Sequence, residues 1–190
     1  MSARMAILRR LAMAGMAAGL IFSVSFETVA ADAPPPFKGD IAAFEPLAAP
    51  EPAPELAFTD AEGKPAALAD FRGRLVLLNL WATWCAPCIA EMPALDRLQA
   101  ELGGRGLQVV ALSLDRGGAN VVRPFYGKQG LANLGIWLDP KGQAMKTLKP
   151  RGLPTTLLIG RDGQVVGRLE GAADWAGPEG RALVEHYLAR

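Results

Sequence analysis

The apolar and polar positions divide the chain into three parts. From Leu11 to Phe26 the residues are apolar almost without a break and show no amphipathic period. From residue 32 to 54 periodicity gives way to prolines and alanines. From about Glu55 to Arg190, short apolar runs alternate with helical spacings. Leu56-Ala57-Phe58-Thr59 and Ala66-Ala67-Leu68 flank a turn-rich stretch and predict a hairpin. Leu75 to Trp81 is apolar except for Asn79 and predicts a buried strand. Ile89, Met92, Leu95, Leu98 and Leu102 lie on one side of a helix over 88–102, with Pro93 as a kink and Gly103-Gly104 as its end.

Leu107 to Leu114 predicts a second buried strand. Then come a helix from Val121 to Lys128 with Asn120 as its cap, a short strand from Leu134 to Leu138, and a short helix from Gln143 to Leu148. Thr155 to Ile159 and Gln164 to Glu170 read as strands joined at Arg161-Asp162-Gly163. A last helix from Pro178 to Ala189 buries Leu183, Val184, Tyr187 and Leu188. The order is hairpin, strand-helix-strand-helix-strand, then hairpin and helix. That alternation predicts an α/β sheet with a parallel centre and an antiparallel edge.

The first 31 residues read as a targeting segment. Arg4, Arg9 and Arg10 precede the apolar run, and the small residues Thr28-Val29-Ala30-Ala31 come after it. Basic head, apolar middle and small-residue end are the parts of a secretory signal. The run is 16 residues long, short of the roughly 20 that a membrane-spanning helix needs. Two readings stay open, a cleaved signal peptide and an uncleaved N-terminal anchor. Both place the rest of the chain outside the cytoplasmic membrane, which is a periplasmic location, soluble or tethered. Residues 32–54 carry seven prolines and read as a linker. In extended polyproline form, at about 3.1 Å per residue, it would span roughly 70 Å.

Composition narrows the class. The chain has 190 residues, 51% of them hydrophobic and 21% charged, which suits one domain with a core and some extra chain. It excludes disordered, collagen-like and coiled-coil proteins. The net charge is +1, and without the three arginines and one glutamate of residues 1–30 the remainder sits near −1. No basic stripe is present, which argues against nucleic-acid binding. Two cysteines, Cys85 and Cys88, and one histidine, His186, cannot supply a disulfide framework or a four-cysteine zinc site.

The chemistry is concentrated at Cys85-Ala86-Pro87-Cys88, between a buried strand and a helix. Cys85 would lie at the helix N-terminus, where unpaired N–H groups and the dipole favour a thiolate. The two-residue spacer lets the second thiol close a small disulfide ring on the first. Cys85, the more exposed, would attack and Cys88 would resolve. A structural disulfide and half a metal site are the competing readings. The first closes too short a loop to stabilise much, and the second lacks further soft ligands.

Trp81-Ala82-Thr83-Trp84-Cys85-Ala86-Pro87-Cys88 resembles the active-site segment of thioredoxin-like proteins. Leu77-Leu78-Asn79-Leu80 before it and Ile89-Ala90-Glu91-Met92-Pro93-Ala94-Leu95 after it resemble the exported TlpA and ResA branch. Gly152-Leu153-Pro154-Thr155-Thr156 is similar to that family's proline loop. The resemblance covers about residues 55–190. It implies a thioredoxin fold, with a central mixed sheet, flanking helices and an N-terminal β-hairpin extension. It also implies a thiol-disulfide reductase at the membrane face, working in cytochrome biogenesis or copper-centre maturation.

By the same resemblance Pro154 is a cis-proline beside the disulfide, preceded by Leu153, and both face the substrate. Trp84 shields the site, although packing alone would also account for a tryptophan there. Glu91, three residues after Cys88, can face the cysteines across one helical turn, and its counterpart in this branch belongs to the active site. Asn79 stands where thioredoxin has a buried, proton-relaying aspartate. An amide cannot take up a proton at physiological pH, so Glu91 or water must accept the Cys88 proton. A solvated position on the helix is the plain alternative for Glu91. His186 is expected on an exposed helix face, and Trp137 and Trp175 in packing roles.

These readings converge on an exported protein-disulfide reductase, a monomer acting on disulfide-containing substrate proteins. Its cofactor would be none beyond the redox-active Cys85–Cys88 disulfide. No flavin or nicotinamide motif is present, so electrons would come from a membrane thiol-disulfide transporter. A disulfide oxidant or isomerase shares the same motif. A copper-delivery protein would call for a histidine and wider cysteine spacing, and a peroxidase for a proline-threonine-cysteine signature.

Overall fold

The computed structural model describes residues 34–190. The targeting segment expected over residues 1–31 lies outside them. Among the described residues the strands are β1 (Phe44–Pro52), β2 (Ala57–Asp60), β3 (Pro65–Ala67), β4 (Leu75–Trp81), β5 (Leu107–Ser113), β6 (Trp137–Leu138), β7 (Thr155–Ile159) and β8 (Gln164–Glu170). The helices are α1 (Ala86–Leu102), α2 (Ala119–Gln129), α3 (Gln143–Leu148) and α4 (Pro178–Leu188). The strands form one mixed sheet in the order β1-β8-β7-β4-β5-β6-β2-β3. β4, β5 and β6 run parallel, and every other pairing is antiparallel. This is the thioredoxin-like α/β architecture, with the β2–β3 hairpin at one edge.

β4 is apolar except for Asn79 because helices and loops cover both faces of the sheet. Leu75, Leu77 and Trp81 join the core cluster built with Met92, Leu95, Leu98 and Leu102 of α1 and Leu183, Val184 and Leu188 of α4. Val76, Leu78 and Leu80 point the other way, toward Leu56, Phe58, Leu68 and Ala144. Each fully buried side chain of this kind contributes about 1.5–3 kcal/mol relative to exposure. α1 therefore stays docked although Pro93 lies within it, where it removes one helical hydrogen bond.

The sequence predicts an extended linker over residues 32–54, but Phe44–Pro52 is a strand paired antiparallel with β8, with Phe44 opposite Leu169 and Pro52 opposite Gln164. Proline has no N–H to give to a ladder, so it is confined to edge strands and bulges. β1 is an edge strand and carries an irregularity between Pro46 and Glu51. Its anchors are Ile41 and Phe44, both buried. Phe44 lies against Gly167, where an added Cβ would come within 2.1 Å of the ring. The compact unit thus begins at Pro34, not at Glu55.

Smaller differences are local. The strand expected over 134–138 shrinks to Trp137–Leu138. α2 begins at Ala119, with Gly118 in place of Asn120 as its cap. Trp175 is fully buried, and Trp137 packs edge-on against Phe58 and Phe71. His186 is half-buried rather than exposed and contacts Arg190 and the Tyr187 ring.

Candidate active site

The parallel strands β4 and β5 end side by side, and the chain leaving β4 turns directly into α1. Ala82–Cys85 forms the turn, closed by the Cys85 N–H donating to the Ala82 carbonyl at 3.1 Å. Cys85 has extended backbone angles and caps α1, and its Sγ accepts from the Cys88 N–H at 3.4 Å. Pro87 falls in the first turn, where its missing N–H costs nothing. Cys85 and Cys88 are joined by a disulfide, with Cα atoms 5.3 Å apart. Cys88 is 0% exposed and Cys85 7%, so the sulfur on the N-terminal side is the one solvent reaches. Trp84 at the tip of the turn is 70% exposed. It is therefore not a packing residue; it offers a bare aromatic surface next to Cys85.

The Leu153–Pro154 peptide is cis. Pro154 is buried and Leu153 half-buried, and the Pro154 carbonyl accepts from the Gly171 N–H at 2.9 Å. Thr155 and Thr156 come at once in β7, where Thr156 is the register partner of Asn79 in β4.

Glu91 is not a solvated helix residue. It is 3% exposed and faces the sheet. Asn79 Nδ2 donates to its Oε1 at 2.7 Å and to Thr156 Oγ1 at 3.0 Å, and the Ala173 N–H donates to its Oε2 at 3.1 Å. The Trp175 indole N–H lies near the same carboxyl without completing a hydrogen bond. Burial pushes the Glu91 carboxyl up from 4.5 to about 7, against the opposing pull of the Asn79 and Ala173 donors. Glu91 also borders a cleft of about 390 Å³ shared with Pro93, Ala94, Arg97 and Asp174. A larger cleft of about 610 Å³ lies near Leu56, Phe71 and Gln143 and shares no residue with the disulfide site.

Sequence reasoning passed over Asp115. This carboxylate is 4% exposed. It accepts from the Thr83 N–H at 2.9 Å, the Thr83 hydroxyl at 2.7 Å and the Ser113 hydroxyl at 2.9 Å. The signal was available: Ser113 and Asp115 close an apolar run whose strand ends beside the cysteine loop. Ala173 acts through its backbone, so no side-chain pattern could reveal it. Among the described residues no group of three or more His, Cys, Asp and Glu side chains is placed to hold a metal, and no helix is long and apolar enough to cross a membrane.

A two-cysteine disulfide at a helix N-terminus, with a cis-proline just before β7, whose Thr155 is the register partner of Leu80 in β4, on a mixed sheet, defines a thioredoxin-fold thiol-disulfide oxidoreductase acting on protein disulfides. The chain belongs to the AhpC/TSA family, whose model matches residues 50–168. It is similar to the thiol-disulfide oxidoreductase ResA of Bacillus thuringiensis subsp. konkukian, 33% identical over 138 residues, which are 73% of this chain and 75% of that one. ResA of Bacillus anthracis is 34% identical over 81% of this chain and 84% of its own. Among solved structures, a chain from Chlorobium tepidum assigned as a thiol:disulfide interchange protein DsbE superposes with a TM-score of 0.64 at 33% identity. That match covers 75% of this chain and 97% of the other. These likenesses bear out the family resemblance carried by the cysteine and proline motifs.

Proposed function

We propose that the protein is a reductase of protein disulfides working outside the cytoplasmic membrane, in cytochrome biogenesis or copper-centre maturation. The observation that carries the direction is the buried Glu91 carboxyl, one helical turn beyond Cys88. A strong oxidant of this class owes its potential to a stabilised reduced form. A buried carboxyl one helical turn from Cys88 does not favour a thiolate there, which supports the reducing direction.

In the reduced protein the Cys85 thiolate attacks one sulfur of the substrate disulfide. A mixed disulfide forms and the first substrate thiolate leaves. Cys88 gives its proton to the Glu91 carboxylate and attacks Cys85 Sγ. The second substrate sulfur departs, takes up a proton, and the Cys85–Cys88 disulfide is restored with two electrons transferred to the substrate. Asn79 does not titrate; it holds the Glu91 carboxyl in place, and the cleft beside Glu91 returns the proton to solvent. Trp84, Leu153 and Pro154 line the substrate's approach. Re-reduction falls to a membrane thiol-disulfide transporter, and an uncleaved N-terminal segment would tether the monomer near it.

Trapping tests the roles. Cys88→Ser incubated with a disulfide-bonded peptide should accumulate a mixed disulfide at Cys85, seen by intact-mass spectrometry, while Cys85→Ser should give neither adduct nor reduction. Stable adducts in the Cys85 variant alone would reverse the assignment.

A further inference from the structure

Asp115 is a buried carboxylate for which thiol-disulfide exchange itself has no use. It sits just past the end of β5, next to the end of β4, and the Leu114 N–H donates to the Trp81 carbonyl at 2.9 Å to hold the two strand ends together. All three of its side-chain hydrogen bonds run toward the cysteine loop or its own strand. Two come from Thr83, 32 residues away in the chain. Thr83 is the second residue of the four-residue turn Ala82–Cys85. The N–H at that position of a turn takes no part in closing it, so nothing inside the turn fixes its orientation. Here the N–H and the hydroxyl of Thr83 are gripped by the two oxygens of one carboxylate, a two-point clamp. The Ser113 hydroxyl and the Asp115 N–H, which donates to Ser113 Oγ at 3.1 Å, fix the carboxylate in turn.

The clamp bears on Trp84 and Cys85, the two residues after Thr83, one 70% exposed and the other the cap of α1. With Trp84 bare to solvent, the loop has little side-chain packing on its outer side, and the polar grip from Asp115 supplies the restraint. We infer that Asp115 is a positioning residue for Cys85: through Thr83 it sets the turn that presents the attacking sulfur at the helix N-terminus. This rests on Cys85 being the attacking cysteine.

Geometry and charge can be separated. In Asp115→Asn, the amide oxygen can take the Thr83 N–H and the Ser113 hydroxyl. The amide N–H can donate to Thr83 Oγ, whose lone pairs are free to accept. The clamp survives and the charge is lost. Asp115→Ala loses both. Thr83→Val keeps the backbone half of the clamp and the side-chain shape. The full chain and these three variants are reduced, and two rates are measured: alkylation of Cys85 by iodoacetamide across pH, located by mass spectrometry, and reduction of a disulfide-bonded peptide.

Asp115→Ala should slow peptide reduction roughly tenfold, within the ~10²-fold that a 1 Å misplacement can cost. It should also raise the pH midpoint of Cys85 alkylation. Thr83→Val should move both in the same direction by less, and Asp115→Asn should stay close to wild type. Wild-type rates and midpoint in Asp115→Ala, measured where it is fully folded, would overturn the inference. So would an Asp115→Asn loss equal to that of Asp115→Ala, which would make charge the cause. If Asp115→Ala does not fold, Thr83→Val decides, and no change in either of its rates counts against the clamp. Alkylation needs no substrate, so failure of the wild type to reduce the peptide would count against the proposed function and leave this inference to the alkylation arm.

Discussion

Replacing Glu91 by glutamine should change how stability depends on pH, and by an amount set by its surroundings. The folded protein holds the carboxyl at about 7 against 4.5 for an exposed one. Its ionised form is therefore costlier in the folded chain by roughly 3 kcal/mol. The folded state binds the extra proton, so the favourable balance is complete below 4.5 and is lost as pH rises through about 7. Glutamine does not ionise. It offers one acceptor oxygen where the carboxyl offers two, and Asn79 Nδ2 and the Ala173 N–H both need one. Losing one of these bonds costs about 1 kcal/mol. Glu91→Gln should thus be slightly less stable than wild type at pH 4.5 and about 2 kcal/mol more stable above pH 8. Urea unfolding of the two oxidised proteins across this range reads the difference directly. With the disulfide closed neither cysteine titrates, and His186 is common to both chains. A stability difference that stays constant with pH would refute the burial argument for Glu91.

Three further outcomes are expected. Glu91→Gln should slow peptide reduction by up to about 10²-fold, the low end for a general base, and should remove the limb near pH 7 from the pH–rate profile; a retained limb would assign it to another group. A chain starting at Glu55 should unfold at lower urea than one starting at Pro34, because it lacks Ile41 and Phe44, and removing a buried phenylalanine alone costs about 3–5 kcal/mol. Gly167→Ala should cost about 1–3 kcal/mol by overpacking against Phe44, and combining it with Phe44→Ala should give less than the sum of the two losses.

The apolar runs of β4 and β5 and the spacing along α1 were legible in the sequence because burial on both faces leaves little room for polar residues. The cysteine motif was legible because its chemistry is local: four consecutive residues place both sulfurs. β1 was not, since its prolines mask a strand whose partner, β8, lies more than a hundred residues away. Glu91 was placed on the correct helix, but its burial depends on Asn79, Thr156 and Ala173 meeting from three other segments. Asp115 was passed over for a similar reason, since its partner Thr83 is adjacent only once β4 and β5 pair. For Trp84 the sequence left shielding of the site and packing both open, and its 70% exposure at the turn removes the packing alternative.

The direction of electron flow is set by the potential of the Cys85–Cys88 pair, which a redox titration measures. The protein is equilibrated in glutathione buffers, and the fraction of reduced Cys85–Cys88 is counted by thiol trapping. A reductase of this design should give a potential near the ~−270 mV of thioredoxin. A value near ~−120 mV, where strong disulfide oxidants lie, would contradict the account and make the protein a donor of disulfides.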